Sequence, residues 1–351
     1  MSFSFYLLAP IFISSWLIAR VVCHRAASLR LVQLPNGRSS HKDITPHGGG
    51  LGFVLVATLF SFFGGLESYS VLFCLASILA ALGLWDDIRH VPAWLRFIIQ
   101  ATVMVLFLSW LGYLPALHFH GLELDGWPLM IAVGIVGLWW VNLFNFMDGI
   151  DGIACVQAVS TLLLALILMT TSGRAWLEAP LLQVMLVVVA AVAGFLVVNW
   201  PPARIFMGDT GSTWLAFIIL ALALFSVKQD WLAYSVWMIL TSLFVLDASI
   251  TLFTRLLMGH KFYEAHRCHA YQKLARRFQQ RFTLRMGERE ARARAHLKVS
   301  LLVVVVNVMW LFPLAWLSMN TVEWGILFVF LAWLPLCIVI IRVGAGRPDT
   351  V

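Results

Sequence analysis

The sequence is poor in cysteine and in charge, and what it lacks narrows the reading. Its five cysteines, Cys23, Cys74, Cys155, Cys268 and Cys337, are scattered without a C-x-x-C pair. Neither a disulfide framework nor a zinc site of ordinary spacing is indicated. Only 12% of the 351 residues are charged. No basic stretch precedes the first apolar run, which opens Met-Ser-Phe-Ser-Phe and ends at Arg20. It reads as a membrane span with its N-terminus outside rather than as a cleaved signal peptide. The net charge of +7 requires no nucleic-acid partner, because Lys and Arg facing anionic lipid account for it.

Apolar residues fill the space that charge leaves. They make up 61% of the chain, at a mean hydropathy of +0.90, beyond any ordinary soluble core. The sixteen Trp fit membrane interfaces. The expectation is an all-α, polytopic membrane protein forming one catalytic domain over 1–351. Its spans fall near 3–22, 49–66, 69–85, 93–114, 127–145, 153–171, 179–198, 212–227, 231–257, 297–318 and 323–343. That is eleven, or ten if the last two runs form one hairpin. With the N-terminus outside, all Lys and Arg except Arg174 and Lys228 fall on the cytoplasmic side.

The unusual polar chemistry falls on that same side. The segment Asn142-Leu-Phe-Asn145-Phe-Met-Asp148-Gly-Ile-Asp151-Gly sets two amides and two acids at three-residue spacing between apolar runs. Such residues sit about 60° apart around a helix and form a polar ribbon off its end. Acids at a membrane boundary point to function, with a polar helix cap as the bland alternative. Asp86 and Asp87 close the third span. Neighbours on a helix point about 100° apart, so one is a base or metal-site acid while the other orients it or accepts from the backbone.

Asn199-Trp-Pro-Pro-Ala-Arg204-Ile-Phe206-Met-Gly208-Asp209-Thr-Gly-Ser212 places Asp209 on a glycine turn before a helix. That suits an acid holding Mg²⁺ or Mn²⁺, with helix N-terminal amides near phosphate. Phe206 is either an aromatic platform for a base or a plain interfacial ring. Arg38, His41, Lys42 and His47 precede three glycines and suit an anionic ligand, or positive-inside anchoring.

A cytoplasmic loop over 259–296 carries His266-Arg267-Cys268-His269. This is a poor zinc set, and His266 and Arg267 read better as phosphate ligands. The loop continues as an amphipathic helix whose Lys273, Arg276, Arg277 and Arg281 anchor it on anionic membrane lipid. Asp247 stands inside the ninth span, where a buried acid needs a partner; Arg255 is the candidate.

Taken together these motifs resemble the polyprenyl-phosphate N-acetylhexosamine-1-phosphate transferases, the group that includes phospho-MurNAc-pentapeptide translocase. The carrying pieces are Pro35-Asn36-x-Arg38-Ser39-x-His41, Thr45-Pro46-x-Gly-Gly, Asp86-Asp87 and Asn145-x-x-Asp148-Gly-x-Asp151-Gly. Phe206-Met-Gly-Asp209-x-Gly-Ser212 and His266-Arg267 complete the set, in family order. The resemblance implies transfer of a sugar 1-phosphate from a UDP-N-acetylhexosamine to undecaprenyl phosphate, with Mg²⁺, in the bacterial inner membrane. It implies that Asp209 binds the metal, that Asp86 is the base, and that Asp148 and Asp151 shape the nucleotide and metal site. Asp87, Asn142, Asn145 and Asn199 belong to the expected site, and a homodimer to the expected assemblies. The translocase's triple-His motif is absent, which points to the branch that initiates O-antigen and other surface glycans. His47 stands where many relatives carry Arg. A secondary transporter is the rival reading, but it needs midplane polar groups and repeats that the sequence does not show. A membrane prenyltransferase needs paired D-x-x-x-D clusters, which are also absent.

Overall fold

A computed structural model describes residues 5–33, 45–119, 122–171, 179–260 and 266–348. Arg38, His41 and Lys42, with the Pro35–Asn36 motif, lie outside these residues. The chain is helical apart from two short hairpins. One pairs β1 (Val32–Gln33) with β2 (Thr45–Pro46), and the other pairs β3 (Leu117–Phe119) with β4 (Leu122–Leu124).

The first half comprises α1 (Leu8–Arg25), α2 (Leu51–Phe63), α3 (Ser70–Ile88), α4 (Ala93–Leu111) and α5 (Gly126–Phe146). Then come α6 (Ile153–Thr170), α7 (Pro180–Asn199), α8 (Gly208–Lys228), α9 (Tyr234–Leu240) and α10 (Ser242–Leu257). The last are α11 (Ala270–Thr283), α12 (Glu288–Val306), α13 (Phe312–Asn320) and α14 (Gly325–Val343). A π turn over Asn307–Leu311 joins α12 to α13. Among the described residues nine helical stretches are long and apolar enough to cross a membrane, or ten if α9 and α10 form one span. This is a multi-pass membrane protein.

Three expectations change here. The span expected at 49–66 is the 13-residue α2, shorter than the roughly 20 residues that a crossing needs. Its start is held back because Gly49 and Gly50 donate to the carbonyls of Phe206 and Met207. The span expected at 231–257 is bent by 67° between α9 and α10. The expected loop at 259–296 is largely a helical hairpin, with α11 against α12, and α12 begins well before residue 297.

The centre of the bundle is α8, with α3 and α5 packed on it. Lipid tails are as apolar as leucine, so helices in a membrane associate through close packing and hydrogen bonds rather than by exclusion from water. The aromatic contacts show this. Trp214 on α8 meets Phe53 at 5.6 Å and Phe217 meets Phe107 at 5.2 Å. Trp140 Nε1 donates to the Ala216 carbonyl at 2.8 Å, and Ser15 joins α1 to α7 through the Ala191 carbonyl.

Candidate active site

The polar loops converge at one end of this bundle, around the first turn of α8. Asp87, at the end of α3, accepts the Asp209 N–H at 3.0 Å, the Thr210 N–H at 3.1 Å and the Thr210 hydroxyl at 2.7 Å. It thereby caps α8 from another helix, at the end where backbone N–H groups lack partners and the helix dipole is positive. His47 Nδ1 lies 3.6 Å from the same carboxylate. Gly208 makes the approach available. Its φ of +75° is left-handed, and a Cβ there would stand 2.5 Å from Asp87 Oδ2.

Asp86 faces different partners, as adjacent helical positions require. Its Oδ1 accepts the Val91 N–H at 2.7 Å and its Oδ2 meets Arg96 Nη1 at 2.6 Å. The same Arg96 nitrogen lies 3.3 Å from Asp209 Oδ2, so one guanidinium bridges both acids. Sequence reading passed over Arg96. The available signal was a cation in the first turn of an apolar helix, ten residues after Asp86.

The ribbon of Asn142, Asn145, Asp148 and Asp151 divides, because α5 stays helical to Phe146. Asn142 points along the membrane helices to Gln100 Oε1 at 2.9 Å, away from the acids. Asn145 Oδ1 accepts the Ser212 hydroxyl at 2.6 Å and so reaches α8. Asp148 lies in the loop, and its carboxyl is pushed up to about 7 by burial, then by the charges of Asp87 and Asp151.

Asp151 is engaged elsewhere. Its Oδ2 sits 3.2 Å from His296 Nδ1 and accepts the Ala203 N–H at 3.1 Å. Burial would raise its pKa, but the His296 hydrogen bond and charge, the Ala203 N–H and Arg292 outweigh it and hold it below the usual range. These contacts tie the acid loop to α12 and to the 200–204 loop. Asn199 is bonded to backbone through both amide atoms, accepting the Gly152 N–H and donating to the Ile205 carbonyl. Phe206 is half-buried, its backbone bonded to Pro46 and Gly49. His296 gave no signal in the sequence, since it falls at the end of a basic helical run.

The segment before α11 also departs from expectation. Asp247 lies 3.6 Å from His269 Nδ1. It accepts the N–H groups of Ala270 at 2.8 Å and Tyr271 at 2.9 Å, capping α11 from inside the bundle. His266 stacks beside His269 with centroids 4.9 Å apart. Its pKa is lowered to about 3 by burial, then by His269 and Arg255.

The residues of this segment that do touch the acid loop are Tyr271 and Gln272. The Tyr271 hydroxyl donates to the Phe146 carbonyl at 3.1 Å and lies against Gly149, where a methyl group would collide with it. Burial, then Asp247 and Asp148, raises the Tyr271 pKa well above its usual value and keeps it a donor. Lys273 is buried, Arg276 donates to the Arg267 carbonyl and Arg277 to the Val343 carbonyl. The Arg277 bond ties the hairpin to α14, while the Arg277 and Arg281 side chains are themselves exposed.

The donors suit a hard divalent cation. Asp86 and Asp209 already share one positive group, and Mg²⁺ takes one or two carboxylates and completes its shell with water and phosphate. Among the described residues no three His, Cys, Asp or Glu side chains form a ready-made metal cage.

A bundle of membrane helices with a carboxylate site built from separate loops at one end defines a membrane-embedded class of protein. Residues 69–227 match glycosyl transferase family 4. The chain is 27% identical over 279 residues to a probable undecaprenyl-phosphate N-acetylglucosaminyl 1-phosphate transferase of Bacillus subtilis, covering 74% of this chain and 73% of that one. It is 30% identical over 239 residues to the phospho-N-acetylmuramoyl-pentapeptide-transferase of Streptococcus mutans, covering 58% and 68%. The corresponding Chlamydia trachomatis transferase is 34% identical over 210 residues, covering 51% and 61%. The protein belongs to glycosyl transferase family 4.

Proposed function

We propose that the protein transfers a sugar 1-phosphate from a UDP-N-acetylhexosamine to undecaprenyl phosphate, releasing UMP, at the cytoplasmic face of a bacterial inner membrane. The product initiates an O-antigen or related surface glycan. The observation that carries this reading is the meeting of Asp86 and Asp209 on Arg96, with Asp87 and Asn145 bonded to the same first turn of α8. Relatives named for this chemistry support it.

The reaction brings anion to anion. A phosphate monoester has a second pKa near 6, so at neutral pH the attacking lipid oxygen is already largely deprotonated. Neutralising charge and aligning the groups then matter more than proton removal. The lipid phosphate oxygen attacks the phosphorus that bears the sugar. That P–O bond forms as the bond to UMP breaks, and UMP leaves with the electron pair. Arg96 and the capped N-terminus of α8 supply positive potential there. Asp209 and Asp86 would hold Mg²⁺, which screens phosphate charge when bound. Asp148 borders this group without a hydrogen bond from a described residue, and faces the substrate or its ion.

The test is UMP release by purified protein with undecaprenyl phosphate, Mg²⁺ and a panel of UDP-sugars. Release should require both substrates. No release with any UDP-N-acetylhexosamine would overturn the reading.

A further inference from the structure

A second polar site lies on the lipid-facing side of the bundle, where the ends of α1 and α7 meet. A cavity of about 310 Å³ opens there between Trp16, Arg20, Val197, Trp200, Pro202 and Arg204. The Arg20 guanidinium stands over the Trp16 ring, 5.1 Å from its centroid. Both arginines are exposed, and among the described residues neither meets a carboxylate. From Arg20 toward the start of α1, Leu17 and Ile13 form an exposed apolar strip.

From this arrangement we infer that the groove binds the phosphate headgroup of an anionic membrane phospholipid. Two guanidiniums at one cavity can grip a single phosphate through forked hydrogen bonds. Indoles settle at headgroup depth, which places the cavity where such a phosphate resides. The apolar strip continues toward the membrane interior and receives an acyl chain. Arginines that only reach for the interface need no cavity between them; here the two share one.

The site matters because its wall is also the back of the acidic site. The Cys23 thiol donates to the Arg204 carbonyl, tying α1 to the 200–204 loop. In that loop Ala203 holds Asp151, and neighbouring Asn199 holds Gly152. A seated lipid steadies the strand of chain that fixes the acid loop. None of this depends on the reaction proposed above.

The experiment uses the full chain in phosphatidylcholine nanodiscs, titrated with dioleoyl phosphatidylglycerol, with bound lipid counted by native mass spectrometry. Wild type should retain one phosphatidylglycerol in preference to phosphatidylcholine. At roughly 1 kcal/mol per basic residue, Arg20→Gln or Arg204→Gln should weaken retention about fivefold, and the pair about thirtyfold. Arg281→Gln, an exposed cation elsewhere, should leave it unchanged. Should the double variant fail to fold, the single variants give the same test. Equal retention by the arginine variants and wild type overturns the assignment, as does an equal loss in Arg281→Gln, which marks diffuse surface attraction. Displacement of the lipid by inorganic phosphate at equal concentration overturns it in favour of a free-anion site.

Discussion

Asp148 is the acid of the central loop whose carboxyl is pushed up, and its charge state links pH to stability. Folding raises its pKa from 3.8 to about 7, so between those values the native state holds a proton that the unfolded chain has released. Stability contributed by this group therefore falls as pH rises through that window. Asp148→Asn removes the dependence. Thermal melts of the ligand-free protein should coincide near pH 4, and above pH 7 the variant should be more stable by about 2–4 kcal/mol. A constant difference across that range would contradict the assignment. Asp87 and Asp209 separate in another way. Asp87 caps α8 with both oxygens, so Asp87→Asn should cost about 1–3 kcal/mol of stability as well as activity. Asp209→Asn should melt like wild type yet lose about 100-fold or more in UMP release, the scale of a lost electrostatic contact in catalysis. Equal melting of the two variants would remove the distinction.

At the scale of elements, the hairpin of α11 and α12 sets the acid loop. Tyr271 bonds the end of α5, and His296 holds Asp151, so the two sides of the loop rest on one hairpin. Tyr271→Phe should lower kcat about tenfold or more with little change in melting temperature, since small displacements of reacting groups are costly. Gly149→Ala should be worse, because the new methyl meets the Tyr271 hydroxyl. Removing that hydroxyl relieves the closer collision and leaves the movable end of Gln272 at 2.8 Å, so the double variant should be more active than Gly149→Ala alone. A double variant no better than the alanine variant would show that the contact is not the cause.

The same elements show how far the sequence could be read. Apolar runs gave nearly all the helices, and the Asp-Asp, Asp-Gly and Gly-Asp signatures lie together at one end of the bundle. The helix-cap bonds from Asp87 and Asp247 could not be seen, because each joins residues far apart in the chain. His296 and Arg96 looked like ordinary members of basic or interfacial turns, and only the packing of their helices brings them to acids. For the basic face of α11, periodicity shows that a face exists and not what covers it: Lys273 is buried, while Arg277 and Arg281 are exposed.

For the whole molecule, the acids, the α11–α12 hairpin and the groove at Arg20 and Arg204 all lie at the same end. The proposed orientation places that end in the cytoplasm. A single cysteine at Asp125, beside the opposite hairpin, in an otherwise cysteine-free chain should react with a membrane-impermeant thiol reagent added to intact cells. One at Gly287, between α11 and α12, should react only after lysis. The reverse pattern would invert the topology.

The central claim concerns which bond breaks. It is tested most directly with a UDP-N-acetylhexosamine labelled at the phosphorus next to the sugar, incubated with the purified protein and undecaprenyl phosphate. The account predicts that the labelled phosphorus enters the lipid product and that unlabelled UMP is released in equal amount. Labelled UDP as the product, with sugar alone on the lipid, would contradict it.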